Sequence, residues 1–451
     1  MGNVFLISVI LKGIGAVLEV LLQIVLTREI GLDGYGTYSM WINSADLIFW
    51  GLFSGIVKCN TFYLSGKNGS IRSFRIKYYM RYVVPVLAVV TLFLHFGNFE
   101  IPSIIVLITF TELIMLDKSS IMLAEGKSIR SLLGEYILGR GILLAGVCIL
   151  RLIGDVTIWN VTIIYIVQYI AVILYFVGRS RKEQKKTTEL QVSTKKWWRY
   201  QSGDILNSLV GKMPVILQYF VVGALEAGVI SVVILVKKLI NFISGPTAKI
   251  FLPEFSKLYH EKNMLEIRKY YESIIRIQLI STGPMAVLLI GYSEVILKIL
   301  AEELLPYKVI FMICSAVFLL SATLGPCAGL LQMTDNEKLD NRCRIVSITT
   351  MFIVFWIFRK SSLFVAYGLC VQNFMESLSK YVLVCRWFKG SPMRVSSFIK
   401  WWSVPIGCIC IARIFHIQDS FWMMLLTAGA VFLYFVYKEY KQGVLRGFFK
   451  R

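Results

Sequence analysis

Charge is scarce in this sequence, and negative charge is scarcer still. Asp, Glu, Lys and Arg make up 17% of the 451 residues, where soluble proteins run near 25%, and 27 acidic residues stand against 48 basic ones. So little charge leaves no soluble domain. Histidine is rarer: His95, His260 and His416 fall on separate connections or span ends, too dispersed for a triad or a metal site. The nine cysteines are scattered, mostly in apolar runs such as "WSVPIGCICIA" with Cys408 and Cys410. They spell no disulfide framework and no metal spacing, and read as small buried apolar residues. The start, "MGNVFLIS", lacks a basic n-region and a small-residue cleavage site, so its apolar run is expected to stay as a first span. Leu6 stands where N-myristoylation wants Ser or Thr.

What the chain has in quantity is apolar length. The apolar share is 57% and the mean hydropathy +0.68, in runs long enough to cross a hydrocarbon core of roughly 30 Å. The reading is an all-α polytopic membrane protein. Turn signals place fourteen spans, near residues 4–29, 35–62, 77–96, 101–122, 131–152, 158–178, 201–223, 228–254, 274–298, 308–332, 341–358, 362–385, 401–415 and 420–437.

The net charge of +21 would suggest nucleic acid if it were clustered on a soluble face. Instead most Lys and Arg lie in segments that follow even-numbered spans and in the C-terminal tail. That asymmetry puts both termini in the cytoplasm. The longest such segment, "GRSRKEQKKTTELQVSTKKWWR", suits anionic lipid headgroups.

The halves echo each other. "VLLQIVLTREIGLDGYGTYS" answers "VILQYFVVGALEAGVISVV", pairing Gln23 with Gln218 at an offset of 218 − 23 = 195. "GKNGSIRSFRIKYY" answers "EKNMLEIRKYY", pairing Lys67 and Asn68 with Lys262 and Asn263 at the same offset. The expected organisation is a six-helix lobe over 1–178, a basic linker over 179–200, a second six-helix lobe over 201–387 in the same orientation, and an extra helix pair with a basic tail over 388–451. Parallel repeats of this kind place substrate near the bilayer midplane.

Polar residues inside the spans share helical faces. Lys12, Gly15, Glu19 and Gln23 form one stripe of the first span; Asp204, Asn207, Gly211 and Gln218, with Lys212 at the edge, form one on the seventh. Lys237, Asn241, Ser244 and Thr247 line one side of the eighth. Asp46, Lys58, Glu112, Glu135, Arg140, Glu376 and Lys380 add ionisable groups in or near spans. A lysine at a helix centre costs about 2.5–3.5 kcal/mol against lipid, so these residues must meet water, one another or a ligand. Structural ion pairs such as Lys12 with Asp46 or Glu135 with Arg140 are one solution. Lys237 and Lys238 point about 100° apart, so one carboxylate hardly serves both, and at least one is expected to face an anion. Lys249 lies near the inner surface, where its stem can snorkel. Pro214, Gly245, Pro246, Gly325 and Pro326 mark expected helix breaks, as hinges or as fixed bends.

The stretches "LTREIGLDGYGTYS" and "VILVKKLINFISGPTAKIFLPEFSKLYHEKNMLEIRKYY" resemble the polysaccharide flippases of the multidrug/oligosaccharidyl-lipid/polysaccharide exporter superfamily. "FLPEFSKLY" is the most specific element. The resemblance covers residues 1 to about 387 and implies a twelve-helix core, with the last two spans as an added pair. It implies movement of an undecaprenyl-diphosphate-linked oligosaccharide from the cytoplasmic to the outer leaflet of the bacterial plasma membrane by alternating access, without catalysis or cofactor. On this implication Lys12, Lys58, Lys237 and Lys238 would receive the diphosphate, whose oxygens suit ammonium donors. Gln23, Asp204, Lys212, Gln218 and Asn241 would line the cavity, and Glu19, Asp46 or Glu112 would carry a coupling proton or sodium ion. Polysaccharide synthesis and polymerisation proteins would be partners. The alternatives are a multidrug cation exporter, which would want an acidic aromatic cavity where the eighth span offers lysines, and a membrane polymerase or glycosyltransferase, which the short outer connections "HFGNFE" and "GALEAG" disfavour.

Overall fold

Lipid offers no hydrogen bonds, so an apolar chain of this kind satisfies its backbone within helices. The computed structural model describes residues 2–64, 69–97, 102–179, 188–189, 192–334, 336–392, 395–415 and 417–442, and the architecture is all-helical. Among the described residues the one exception is a two-residue parallel pairing of Gly69–Ser70 with Thr188–Glu189.

Two compact units divide the chain, Met1–Ser231 and Val232–Arg451. The first contains α1 (Gly2–Glu29), α2 (Gly31–Ile48), α3 (Gly55–Leu64), α4 (Arg72–Tyr78), α5 (Val84–Phe96), α6 (Ile104–Ala124), α7 (Ser128–Leu132), α8 (Gly139–Ile153), α9 (Ile158–Arg179), α10 (Thr194–Gly211), α11 (Met213–Val221) and the start of α12 (Ala224–His260). The second holds the rest of α12, α13 (Met264–Ala286), α14 (Ser293–Leu300), α15 (Lys308–Thr323), α16 (Cys327–Met333), α17 (Glu337–Ile357), α18 (Phe364–Trp387), α19 (Val395–Ile414) and α20 (Phe421–Lys441). The division falls inside α12, and α10 and α11 pack with α2 and α3.

Each expected span has a helical counterpart, and the protein is a multi-pass membrane protein. Among the described residues eight helices are by themselves long and apolar enough to cross a bilayer, or nine when the pair Gly31–Phe53 and Gly55–Thr61, bent by 57°, is taken as one crossing. α6, α10, α17 and α18 are not in that set, and the charges they carry need partners inside a bundle. Among the described residues four segments, Phe49–Phe53, Tyr79–Val83, Leu133–Leu138 and Val287–Gly291, are wound as π-helix.

The expected breaks fall out differently. Pro214 opens α11 after α10 ends beside Lys212, so that crossing consists of two helices. Gly325, with φ of +90°, and Pro326 separate α15 from α16. α12 runs unbroken past Gly245 and Pro246, although the side chains of residues 241–250, Asn241 and Lys249 among them, lie outside what is described, as do Lys67 and Asn68.

In unit 1, Phe49, Phe53, Ile56, Cys59, Tyr78, Val83, Leu87, Leu113 and Trp197 form a core seam, while Val89, Leu92 and Phe93 of α5 stay exposed on a lipid-compatible face. α2 meets the start of α12 backbone to backbone. A Cβ at Gly36 would collide with the Ala224 carbonyl, and one at Gly228 would come within 2.6 Å of the Leu32 carbonyl oxygen. Small residues permit such approach in membrane bundles. Gly36→Val should therefore lower the thermal unfolding temperature of the detergent-purified protein by several degrees, an overpacking cost of about 1–3 kcal/mol. An unchanged melt would mean the two helices separate freely there.

Candidate functional site

The break in the second crossing is stitched by α10. Gln201 Nε2 donates to the carbonyls of Trp50 (2.9 Å) and Gly51 (2.7 Å), and its Oε1 accepts from Gly55 N–H (2.8 Å). Ser54 Oγ donates to Asp204 Oδ2 (2.8 Å), and Lys58 Nζ sits 2.5 Å from Asp204 Oδ1. Backbone groups freed by a bend in a membrane helix need such partners. Lys58, which the resemblance gives to the diphosphate, has its ammonium against the buried Asp204 carboxylate.

Deeper in unit 1 lies a second polar group. Lys212 pairs with Asp46, whose carboxyl also neighbours the buried Glu112. Glu112 Oε2 has no hydrogen-bond partner among the described residues. Arg140 reaches Glu19 Oε2 at 3.6 Å, and Tyr38, Tyr165 and Tyr169 surround it. Two expected ion pairs are thereby corrected: Asp46 takes its cation from Lys212, not Lys12, and Arg140 turns to Glu19, leaving Glu135 to accept from Ser119. The reason is geometric. Glu135 and Arg140 are five residues apart, not the three or four at which helical neighbours face one another, and Arg140 finds Glu19 of α1 instead.

The first stripe packs inside unit 1. Lys12 Nζ lies 5.8 Å from the Tyr136 ring centroid, Gly15 abuts Tyr136, and Gln23 is buried. Its Nε2 has no partner among the described residues. On the seventh crossing Asp204 of α10 and Gln218 of α11 are buried, while Asn207, three residues after Asp204 on α10, is exposed.

Unit 2 carries the other candidate lysines. Lys237 is partly buried, its Nζ 5.6 Å from the Phe318 ring centroid, and Cys370 and Glu376 are within electrostatic reach. Among the described residues it has no carboxylate at ion-pair distance. Lys238, next along α12, is exposed. Behind Lys237, Lys380 is held 2.7 Å from both Asp340 Oδ1 and Glu376 Oε1, and Arg344 lies 3.6 Å from Glu376. Gln332 and Gln372 donate to the same two carboxylates at 2.9 and 2.6 Å. Two cations, Lys380 and Arg344, thus share two carboxylates, and Lys237 stands outside ion-pair distance of both.

Sequence reading missed Asp340, Arg344 and Phe318. Asp340 and Arg344 stand one helical turn apart within "EKLDNRCRIV", a signal that was available; Phe318 is one aromatic among many and carried none.

No protein-family model matches this sequence, and no curated protein does. Solved structures do match in shape. The lipid II flippase MurJ in an inward-closed conformation aligns over 97% of this chain and 99% of its own, at 14% identity and a TM-score of 0.72. An inward-facing multidrug-resistance MATE transporter of the MOP superfamily aligns over 84% and 98%, at 11% identity and a TM-score of 0.65. Another MOP superfamily transporter, from Pyrococcus furiosus, with a binding pocket of reversed polarity, aligns over 85% and 95%, at 11% identity and a TM-score of 0.54. The chain shares the fold of these membrane transporters.

Proposed function

We propose that the protein is a flippase for a polyprenyl-diphosphate-linked oligosaccharide, moving it from the cytoplasmic to the outer leaflet of the bacterial plasma membrane by alternating access, with both termini cytoplasmic. The observation that carries this reading is Lys237: an intramembrane cation resting on an aromatic ring, with the nearby carboxylates engaged by Lys380 and Arg344. A partly desolvated ammonium in that position favours an anion, and a diphosphate offers several acceptor oxygens. Lys238 extends the same basic segment of α12. Lys12 and Lys58 belong to unit 1, and Lys58 serves the helix break first. The fold shared with a lipid II flippase agrees with an amphiphilic, diphosphate-bearing cargo. Basic connections are proposed to contact anionic lipid, and the lipid-linked sugar to pass between synthesis and polymerisation proteins.

Coupling is assigned to the Asp46, Glu112 and Lys212 group. Two neighbouring carboxyls beside one ammonium can exchange a proton, or take a sodium ion, with little net charge buried. The same acidic group favours a second reading, export of an organic cation, in keeping with the fold shared with multidrug transporters.

Proteoliposomes containing the purified protein decide between the two. Transbilayer movement of undecaprenyl-diphosphate oligosaccharide, without movement of a lipophilic fluorescent cation, is expected. Cation movement alone would overturn the flippase reading.

A further inference from the structure

The seam between α15 and α18 holds a second chemistry beside Lys237. Cys314 on α15 and Cys370 on α18 bring their Sγ atoms to 3.1 Å. Both are buried, and both are free thiols. The sulfurs are already closer than van der Waals contact, and about 1 Å of further approach reaches the 2.05 Å of a disulfide. Cys148 and Cys410 are exposed and Cys327 contacts Tyr271, so the expectation of small buried apolar residues does not account for this facing pair.

We propose that Cys314 and Cys370 are a redox modification site: a peroxide oxidises them to an intramembrane disulfide that staples α15 to α18. Hydrogen peroxide is small and uncharged, which suits a buried seam. The Cys370 thiolate attacks one peroxide oxygen and the O–O bond breaks, leaving a sulfenic acid and hydroxide. The Cys314 sulfur then attacks the sulfenic sulfur, the S–O bond breaks, and the second oxygen leaves as water. The two thiol protons end in two water molecules, the sulfurs give up two electrons, and the peroxide accepts them. Lys237 lies within electrostatic reach of Cys370 and supplies a counter-charge for the attacking thiolate. The staple closes a loop running from α15 through α16 and α17 into α18, so it restrains the unfolded chain as well as the seam.

The test uses the full-length protein in detergent, treated with graded hydrogen peroxide, then unfolded and alkylated with N-ethylmaleimide for site-resolved mass spectrometry. Expected is concerted loss of alkylation at Cys314 and Cys370, with a cross-linked peptide lighter by two hydrogens than its separate parts. Dithiothreitol should restore both sites. Cys314→Ser and Cys370→Ser should each abolish the linked peptide. In case serine disturbs packing, Cys314→Ala/Cys370→Ala gives a second readout: oxidation should raise the melting temperature of the wild type and leave that of the double variant unmoved. The proposal is overturned if doses that oxidise Cys148 and Cys410 leave Cys314 and Cys370 separately alkylatable, or carry them to sulfinic acids without the linked peptide.

Discussion

Lys237→Glu should abolish movement of the diphosphate-linked lipid in proteoliposomes, a fall of at least about a hundredfold in initial rate. Loss of one charge-assisted hydrogen bond costs about 1.5–3 kcal/mol, or roughly 10- to 100-fold at 1.4 kcal/mol per decade. Reversing the sign adds repulsion, since two unit charges 4 Å apart at an effective dielectric of 20 interact by about 4 kcal/mol. Lys237→Arg keeps the cation on Phe318 and should keep most of the rate. The informative contrast is Lys380→Met. Lys380 sits between Asp340 and Glu376, each at 2.7 Å, so its removal strands two carboxylates and should lower thermal stability, which Lys237→Glu does far less. If Lys237→Glu protein melts normally and transports at the wild-type rate, the anion role of this lysine is wrong.

Asp117→Ala should be the most destabilising change in unit 1. The carboxylate is almost fully buried in α6 and is met by Arg75 of α4 through two guanidinium nitrogens, one of them Nε at 3.2 Å. Asn60 of α3 donates to the same oxygen at 2.7 Å and reaches Ser120 Oγ at 2.8 Å. Removing one member of such a group leaves the other charge uncompensated, at about 3–5 kcal/mol, and the melting temperature should fall by roughly 10 °C. Arg75→Met placed in an Asp117→Leu background should recover much of that loss, because apolar replacement of both partners strands no charge. A melt of Asp117→Ala within about a degree of wild type would show that α4 is held by something other than this network.

The spans were legible because apolar length is a local property, and Gly2–Glu29 or Ile158–Arg179 can be read without knowing what lies beside them. So was the burial of Gln23, since Lys12, Gly15, Glu19 and Gln23 recur at helical spacing. The ion pairs were not legible. Lys58 and Asp204 are 146 residues apart, and Lys212 and Asp46 are 166 apart, so periodicity gives the face of each residue and no information about which helix it meets. Gln218 shows a second limit. A stripe counted at 3.6 residues per turn assumes one continuous helix, and the break beside Lys212 puts Gln218 on a different helix from Asp204, Asn207 and Gly211. The sequence places Lys58 and Lys237 in spans, and only the structure shows that Asp204 meets the first and that Lys380 and Arg344 engage the Glu376 near the second.

The four π-wound segments carry a consequence for how this chain tolerates length change. A π turn holds one residue more than the α turn it replaces, so excising a single residue from Phe49–Phe53, Tyr79–Val83, Leu133–Leu138 or Val287–Gly291 can be absorbed by relaxation to α-helix, with the flanking turns keeping their azimuth. The same excision a few turns away would rotate everything downstream by about 100° and carry lipid-facing leucines into the bundle. Relatives that differ by one residue within a crossing are expected to place that gap in these four windows.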